Sequence, residues 1–120
     1  MKKAVWPLLL LAAVGFDARG TKPPKRSPEL LAQGKRVYAI WCVACHGETG
    51  AGDGSAARNL DPRPRKFSTD KFKQGSSVNQ IFATLGKGVP GSAMGPFNNL
   101  SDDERWALAW YVLELKAGRK

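Results

Sequence analysis

The sequence is poor in the side chains that most enzymes use for catalysis and metal binding. Its 120 residues include one histidine, two cysteines and two methionines, and one of the methionines is the initiator. A hydrolase of the Ser-His-Asp or Cys-His type would have to use His46, and no second imidazole is available to transfer protons. Hydrolytic enzymes are therefore disfavoured. The sequence also lacks runs of β-branched residues that alternate with polar ones, which predicts an all-α fold with long loops.

Length and charge limit the architecture and the partners. A chain of 120 residues is too short for two ordinary domains, and 42% apolar with 24% charged residues is typical of a folded globule. Nineteen lysines and arginines against ten acids give a formal charge of +9. Such an excess biases the choice of partner, and a basic face that docks an acidic protein and one that is merely solvated are the two alternatives. Because no nucleic-acid-binding module is recognisable, we expect no binding of nucleic acid.

The N-terminus has the layout of an export signal. Two lysines precede a 13-residue apolar run, 4–16, and polar residues follow. As a helix the run reaches only about 20 Å, and the hydrocarbon core of a bilayer is about 30 Å thick, so we expect no transmembrane span in the mature chain. We interpret residues 1–20 as a signal peptide, cleaved after Gly15 or Gly20, and expect a periplasmic or otherwise exported protein. A buried N-terminal helix and an uncleaved anchor are the alternatives.

The mature chain is predicted to begin with a flexible basic linker, residues 21–27, and then a helix. The Ser27 hydroxyl can cap a helix, and the fixed φ of Pro28 suits the first turn, so the helix should run from there to about Trp41. Four apolar positions fit one stripe of this helix: Leu30, Val37, Tyr38 and Trp41. Gly34 lies on the same side, and the close approach of a second helix would explain it.

Two further helices are predicted downstream. One is capped by Ser76 or Ser77 and runs to Leu85, where glycines follow. The last begins at the capping box 101–104, and its apolar residues cover much of its circumference. Two glycine- and proline-rich segments without periodicity are predicted to be loops: 47–65 and 86–96.

The pattern Cys42-Val43-Ala44-Cys45-His46 is the chemically informative motif. Two thiols three residues apart, followed at once by an imidazole, are the spacing of covalent c-type haem attachment. The thiols can bond to the two vinyl groups of one haem, and His46 can bind the iron. Structural zinc, a thioredoxin-like redox pair and a plain disulfide are the alternatives. Zinc would need a fourth ligand, a redox pair would be expected beside a strand, and a disulfide would leave His46 without a role.

Haem iron bound by His46 needs a sixth ligand, and Met94 is the candidate. It is the one methionine left once the predicted signal is removed, and it lies in a loop 48 residues after His46, far enough to reach the opposite face of the ring. An ordinary core methionine is the alternative. Arg65 and Lys73 are candidate contacts for the haem propionates.

Residues 28–118 resemble the monohaem class I cytochrome c family, particularly its small exported bacterial members. The matching residues are Gly34, Tyr38, 42–47, 52–54, Leu60, 90–94, Trp106 and Tyr111. The resemblance implies three to four helices with long loops around one covalently bound haem c, and a first and last helix that cross at Gly34. A proline carbonyl often accepts the proton of the haem histidine in this family, and Pro62 or Pro64 could supply it here.

The function implied by this resemblance is one-electron transfer with His/Met axial ligation. We expect a monomer that exchanges electrons with a redox donor and a redox acceptor, for which acidic proteins are candidates. We expect it to catalyse no bond-making reaction. The alternatives are a haem-based gas sensor or peroxidase with an open sixth position, and a subunit through which electrons enter a larger reductase or oxidase complex.

Overall fold

The structure, a computed structural model, describes residues 2–4 and 22–119. In this part of the chain four helices and one turn of 3-10 helix are connected by loops, and no strand is present. The helices are α1 (Pro28–Trp41), α2 (Val43–His46), α3 (Val78–Lys87) and α4 (Asp102–Lys116), and the 3-10 turn is Ala57–Asn59. The prediction of an all-α fold with three to four helices and long loops is confirmed.

The starts of the three long helices lie where the capping residues predict them. Ser27 Oγ accepts a hydrogen bond from the backbone N–H of Leu30 (3.1 Å), and Pro28 occupies the first turn of α1. Ser77, rather than Ser76, caps α3 in a reciprocal box with Gln80. Ser101 caps α4 in a reciprocal box with Glu104. Each cap satisfies backbone N–H groups that have no partner within the helix.

The end of α3 differs from the prediction. The helix continues two residues beyond Leu85 and stops at Gly88, whose φ of 74° lies in the left-handed region that favours glycine. Of the two glycines expected at the end of this helix, Gly88 ends it and Gly86 is helical. A Cβ at Gly86 would lie 2.3 Å from Arg105 Nη1, so this glycine makes room for a side chain of α4.

Helices α1 and α4 cross at Gly34, as the resemblance implies. A Cβ at Gly34 would lie 2.2 Å from the carbonyl oxygen of Ala107 and 2.8 Å from Tyr111 Cβ. Beside the crossing, the rings of Tyr38 and Tyr111 meet edge to face with centroids 5.3 Å apart. α4 also packs against α3, so it is the central helix of the fold.

The core lies mainly around α4, and only part of the apolar stripe of α1 is buried in it. Val37 and Tyr38 of the α1 stripe are buried, but Trp41 is 49% exposed. The helical spacing places Trp41 on the inner side of α1, where it borders a cavity instead of packed side chains. Trp41 thus lies on the same side of α1 as Tyr38, as the predicted stripe requires, and it faces the cavity.

Residues 22–27, predicted to be a flexible linker, make two contacts with α4. Trp110 Nε1 donates to the carbonyl of Pro24 (3.0 Å), and the Arg26 guanidinium pairs with Glu114. Flexibility of this segment stays a prediction. These contacts carry the chain along α4 before it turns into α1.

Apart from residues 2–4, the predicted signal peptide (1–20) and both cleavage sites lie outside the described residues. Among the helices of the described part, none has the length and apolar character needed to cross a bilayer.

Candidate haem-binding site

One cavity collects all six residues that the sequence singled out. It has a volume of about 750 Å³, and its wall includes Cys42, Cys45, His46, Arg65, Lys73 and Met94. The remaining wall is largely apolar, with Phe67, Phe72, Ile81, Leu85, Val89 and Phe97 among its residues. Cysteine and histidine come from the junction of α1 and α2, and methionine comes from the loop after α3.

The end of α1 presents the two cysteines and the histidine together. The backbone N–H of Cys42 still bonds to the carbonyl of Tyr38 (2.9 Å), and the single turn of α2 then brings Cys45 and His46 to the cavity. Gly47, with φ of 77°, ends this turn, and its carbonyl accepts a hydrogen bond from the Tyr38 hydroxyl (2.5 Å). Tyr38 thus connects α1 to the residue that follows the histidine.

The cysteines are free thiols in this structure, with Cys42 buried and Cys45 half-buried. Burial raises the pKa of the Cys42 thiol to about 12, and the neighbouring Cys45 adds to the rise. A buried neutral thiol is a poor nucleophile, which disfavours a thiol redox pair at this position.

His46 is held by one loop on the side of its Nδ1 atom. Nδ1 donates to the backbone carbonyl of Arg65 (3.4 Å), and the Phe67 ring lies against the imidazole with centroids 4.6 Å apart and planes at 31°. Burial lowers the pKa of His46 below its ordinary value, and the bond to Arg65 opposes part of that fall. The imidazole is therefore neutral at pH 7, which leaves Nε2 as the atom with a free lone pair.

The carbonyl acceptor differs from both candidates that the sequence suggested. Neither Pro62 nor Pro64 provides it, although both line the cavity. Arg65, singled out for its guanidinium, contributes its backbone oxygen. The contact joins residues 19 apart through a loop, and no sequence pattern marks it.

Met94 is carried by a loop that is bonded to itself and to the end of α3. The carbonyl of Met94 accepts a hydrogen bond from the backbone N–H of Val89 (2.9 Å). The Ser92 hydroxyl accepts one from the N–H of Met94 (3.2 Å) and donates one to the carbonyl of Val89 (2.6 Å). Gly88 packs directly on this loop, because a Cβ there would lie 2.8 Å from the Met94 carbonyl oxygen. Ser92 belongs to the segment 90–94 that matched the cytochrome c family, but its hydrogen-bonding role was not predicted.

Positive side chains lie at the rim of the cavity. Arg63, Arg65 and Lys73 are exposed residues of its wall, and the described residues contain no ion pair that neutralises them. Arg65 and Lys73 therefore lie where anionic groups at the cavity mouth would meet them.

The residues of the cavity fit a haem c group. Its volume lies within the range of about 300–1,000 Å³ that cofactor pockets occupy, and its wall is apolar with few polar groups. Two thiols, a neutral imidazole and a thioether are the donor types that c-type haem takes. The wall also contains Arg65 and Lys73, whose positive charges suit the two propionate groups of a haem.

Comparison with known proteins gives an independent description of the chain. A family model described as cytochrome c oxidase, cbb3-type, subunit III, matches residues 29–112. The thiosulfate dehydrogenase of Allochromatium vinosum is 34% identical over 92 residues, which are 74% of this chain and 32% of that protein. The thiosulfate dehydrogenase of Stutzerimonas stutzeri is 28% identical over 82 residues, 68% of this chain and 26% of that protein. The chain thus spans about a quarter to a third of the length of these curated relatives.

Among solved structures, a chain of a reducing HAO-like protein complex of Kuenenia stuttgartiensis superposes with a TM-score of 0.74. It is 35% identical in sequence, and the match covers 80% of this chain and 48% of the neighbour. The expected cytochrome c fold is confirmed by this likeness and by the four helices. The matched family covers well over half of the 120 residues. The protein therefore belongs to the cytochrome c family described as cbb3-type cytochrome c oxidase subunit III, a monohaem class I cytochrome c family.

Proposed function

We propose that this protein is an exported cytochrome c that carries one electron on a single, covalently attached haem c. Cys42 and Cys45 provide the thioether attachments, and His46 and Met94 are the axial ligands. The observation that carries the proposal is the common cavity, because residues from the α1–α2 junction and from the loop after α3 reach its wall from distant parts of the chain. Membership of the cytochrome c family supports electron transfer as the role.

The chain's own residues prepare the site in separate ways. The Arg65 carbonyl and the Phe67 ring orient His46 so that Nε2 is available to a metal. The apolar wall excludes water, and the bonded loop keeps Met94 at the cavity. When bound, the haem iron supplies the one-electron redox couple, and a thioether ligand favours its ferrous state.

Absorption spectra of the oxidised and reduced purified protein test this proposal directly. We expect c-type haem bands, pigment retained after acidified acetone, and a sulfur-to-iron charge-transfer band in the oxidised form. Met94→Leu should remove that band, whereas Val89→Ile, a change in the same wall without a donor atom, should keep it. Pigment extracted by acidified acetone would refute covalent attachment, and a band unchanged in Met94→Leu would refute the axial methionine.

An open sixth position, as in a haem sensor or a peroxidase, predicts a different reaction with carbon monoxide. A closed electron carrier with Met94 bound should take up carbon monoxide slowly or not at all after reduction. Met94→Leu should take it up rapidly, which controls for access to the cavity. Rapid stoichiometric uptake by the unmodified protein would favour the sensor or peroxidase.

The proposed partners are a redox donor and a redox acceptor, and the positive rim favours acidic ones. Long-range attraction speeds association, and salt screens it, because the Debye length is about 10 Å at 0.1 M. Electron transfer to an acidic acceptor should therefore slow as ionic strength rises. Arg63→Gln should reduce both the rate at low salt and its salt dependence, and a rate independent of salt would exclude electrostatic docking.

Two relatives suggest a second candidate function, since both are thiosulfate dehydrogenases. The chain matches less than a third of each of them, so we propose that it corresponds to an electron-transferring part and does not oxidise thiosulfate by itself. The purified protein should reduce ferricyanide no faster with thiosulfate than without it. Steady turnover with thiosulfate would establish an enzyme.

The structural neighbour belongs to a multi-protein complex, which favours a third candidate, a subunit through which electrons enter a larger assembly. A free carrier should purify as a monomer of about 13 kDa or less. Retention in a membrane or high-mass fraction after a salt wash would favour the subunit role.

A further inference from the structure

The C-terminal end of α4 is joined by one lysine to the loop that faces His46. Lys116 Nζ donates to the carbonyl of Phe67 (3.0 Å), lies 3.5 Å from the carbonyl oxygen of Asp70 and sits 4.6 Å from the centroid of the Phe72 ring. Within residues 2–4 and 22–119 no carboxylate pairs with Lys116. A half-buried ammonium is thus satisfied by the backbone and an aromatic face of one loop.

This loop makes both contacts that orient the imidazole. Arg65 contributes the carbonyl that accepts from His46 Nδ1, and Phe67 contributes the ring beside it. Phe67 itself is 6% exposed, and its backbone N–H donates to the carbonyl of Gly50 (2.8 Å). A Cβ at Gly50 would lie 2.3 Å from the Phe67 ring. Gly50 therefore bounds the loop on one side, and Lys116 holds it from α4.

We propose that Lys116 is a positioning residue that sets the hydrogen bond from His46 Nδ1 to the Arg65 carbonyl. The inference rests on the proposed function, in which His46 binds the haem iron. A firm bond from Nδ1 makes the imidazole a stronger donor, which stabilises ferric iron and lowers the reduction potential. A loop released from Lys116 weakens this bond, so the potential should rise.

The direction of the change separates positioning from simple charge. Loss of a nearby positive charge makes electron uptake less favourable, so removal of charge alone lowers the potential. Lys116→Met removes the ammonium and keeps the length of the side chain. Lys87→Met removes an exposed lysine from the last turn of α3 and serves as the charge control. Lys116→Arg keeps a cation and its donors.

The experiment uses the haem-loaded protein. In Lys116→Met we expect a higher midpoint potential and about tenfold faster amide exchange at Phe67 and Asp70, because a hydrogen bond from a charged donor is lost. Lys87→Met should show an equal or lower potential and unchanged exchange, and Lys116→Arg should restore values near those of the unmodified protein. If Lys116→Met does not accumulate with haem, Lys116→Gln replaces it in the same comparisons.

Other outcomes overturn the inference. A potential in Lys116→Met that falls as in Lys87→Met shows that Lys116 acts only by its charge. Faster exchange with an unchanged potential shows a purely structural role. Failure of the proposed function is distinguishable, since the unmodified protein would then carry no covalently bound haem and have no haem potential to compare.

Discussion

At the scale of single residues, Gly34 shows how one missing side chain sets the distance between two helices. Ala at this position would place Cβ 2.2 Å from the Ala107 carbonyl oxygen, a backbone atom that cannot rotate away. Overpacking of this kind costs about 1–3 kcal/mol or more, so we expect Gly34→Ala to lower the free energy of unfolding by about 3 kcal/mol. Urea denaturation followed by circular dichroism measures it.

The matched control for this prediction is Gly95→Ala. Nothing lies within 4 Å of a Cβ at Gly95, and its φ is outside the left-handed range. Its effect should stay within about 0.5 kcal/mol, as for a surface substitution. Equal losses in the two variants would mean that the helix crossing is not the cause.

Ser92 provides a second prediction at this scale, and it rests on ligation by Met94. Its hydroxyl bridges the carbonyl of Val89 and the N–H of Met94, so Ser92→Ala frees the loop at a cost of about 1 kcal/mol. Added imidazole competes with Met94 for the iron, and loss of the sulfur-to-iron band reports its binding. The apparent affinity for imidazole should be about fivefold higher in Ser92→Ala than in the unmodified protein. Ser92→Thr keeps the hydroxyl, and Ser68→Ala changes an exposed serine. Both variants should bind imidazole as the unmodified protein does. An unchanged imidazole affinity in Ser92→Ala would contradict the bridge.

At the scale of elements, Glu114 ties the chain on both sides of the fold to α4. Arg26 Nε donates to Glu114 Oε1 (2.8 Å) and Arg119 Nε to Oε2 (3.1 Å). Burial raises the pKa of Glu114, but the two guanidinium partners outweigh it and hold the pKa below its ordinary value of 4.5. The folded state therefore prefers the ionised carboxylate. Its contribution to stability is complete above pH 4.5 and is lost as the pH falls through the lowered pKa.

We therefore expect Glu114→Gln to be less stable at pH 7 by about 1 kcal/mol, since both guanidinium groups are partly exposed to solvent. The difference from the unmodified protein should shrink below pH 4.5. Thermal unfolding at a series of pH values measures this, with Glu48→Gln, an exposed acid, as control. A difference that does not depend on pH would assign the effect to packing.

The elements also show which features a sequence can predict. Helix starts depend on neighbours three residues apart, so Ser27, Ser77 and Ser101 marked them correctly. The helical conformation of Gly86 reflects the packing of Arg105 from another helix, so α3 extends two residues past Leu85 to the second of the two glycines expected at its end. The contact of Lys116 with the loop at Phe67 joins residues 49 apart, and no local pattern in the sequence indicates it.

The same distinction holds for the candidate site. Spacing alone grouped Cys42, Cys45 and His46, and elimination among few sulfur atoms added Met94. All of them line the same cavity in the structure. The acceptor at Arg65 and the ring of Phe67 come from a loop without periodicity, where only tertiary packing decides which atoms meet.

At the scale of the whole molecule, the cavity accounts for a large part of the apolar surface that this small domain can bury. Its largely apolar wall borders about 750 Å³, and a haem bound there would cover that surface. We expect the Cys42→Ala, Cys45→Ala double variant, which cannot attach haem covalently, to be largely unfolded in far-ultraviolet circular dichroism. Val43→Ala, between the two cysteines, is the control and should fold. Native-like helix content in the double variant would contradict the prediction.

The crossing at Gly34 also sets the order in which the chain can mature. Gly34 meets Ala107 and Tyr111, about seventy residues later, so the crossing cannot form until most of the chain is available. During synthesis the two thiols consequently emerge well before the body of the protein can close around them. Under the proposed function, covalent attachment that precedes the crossing would find both thiols accessible.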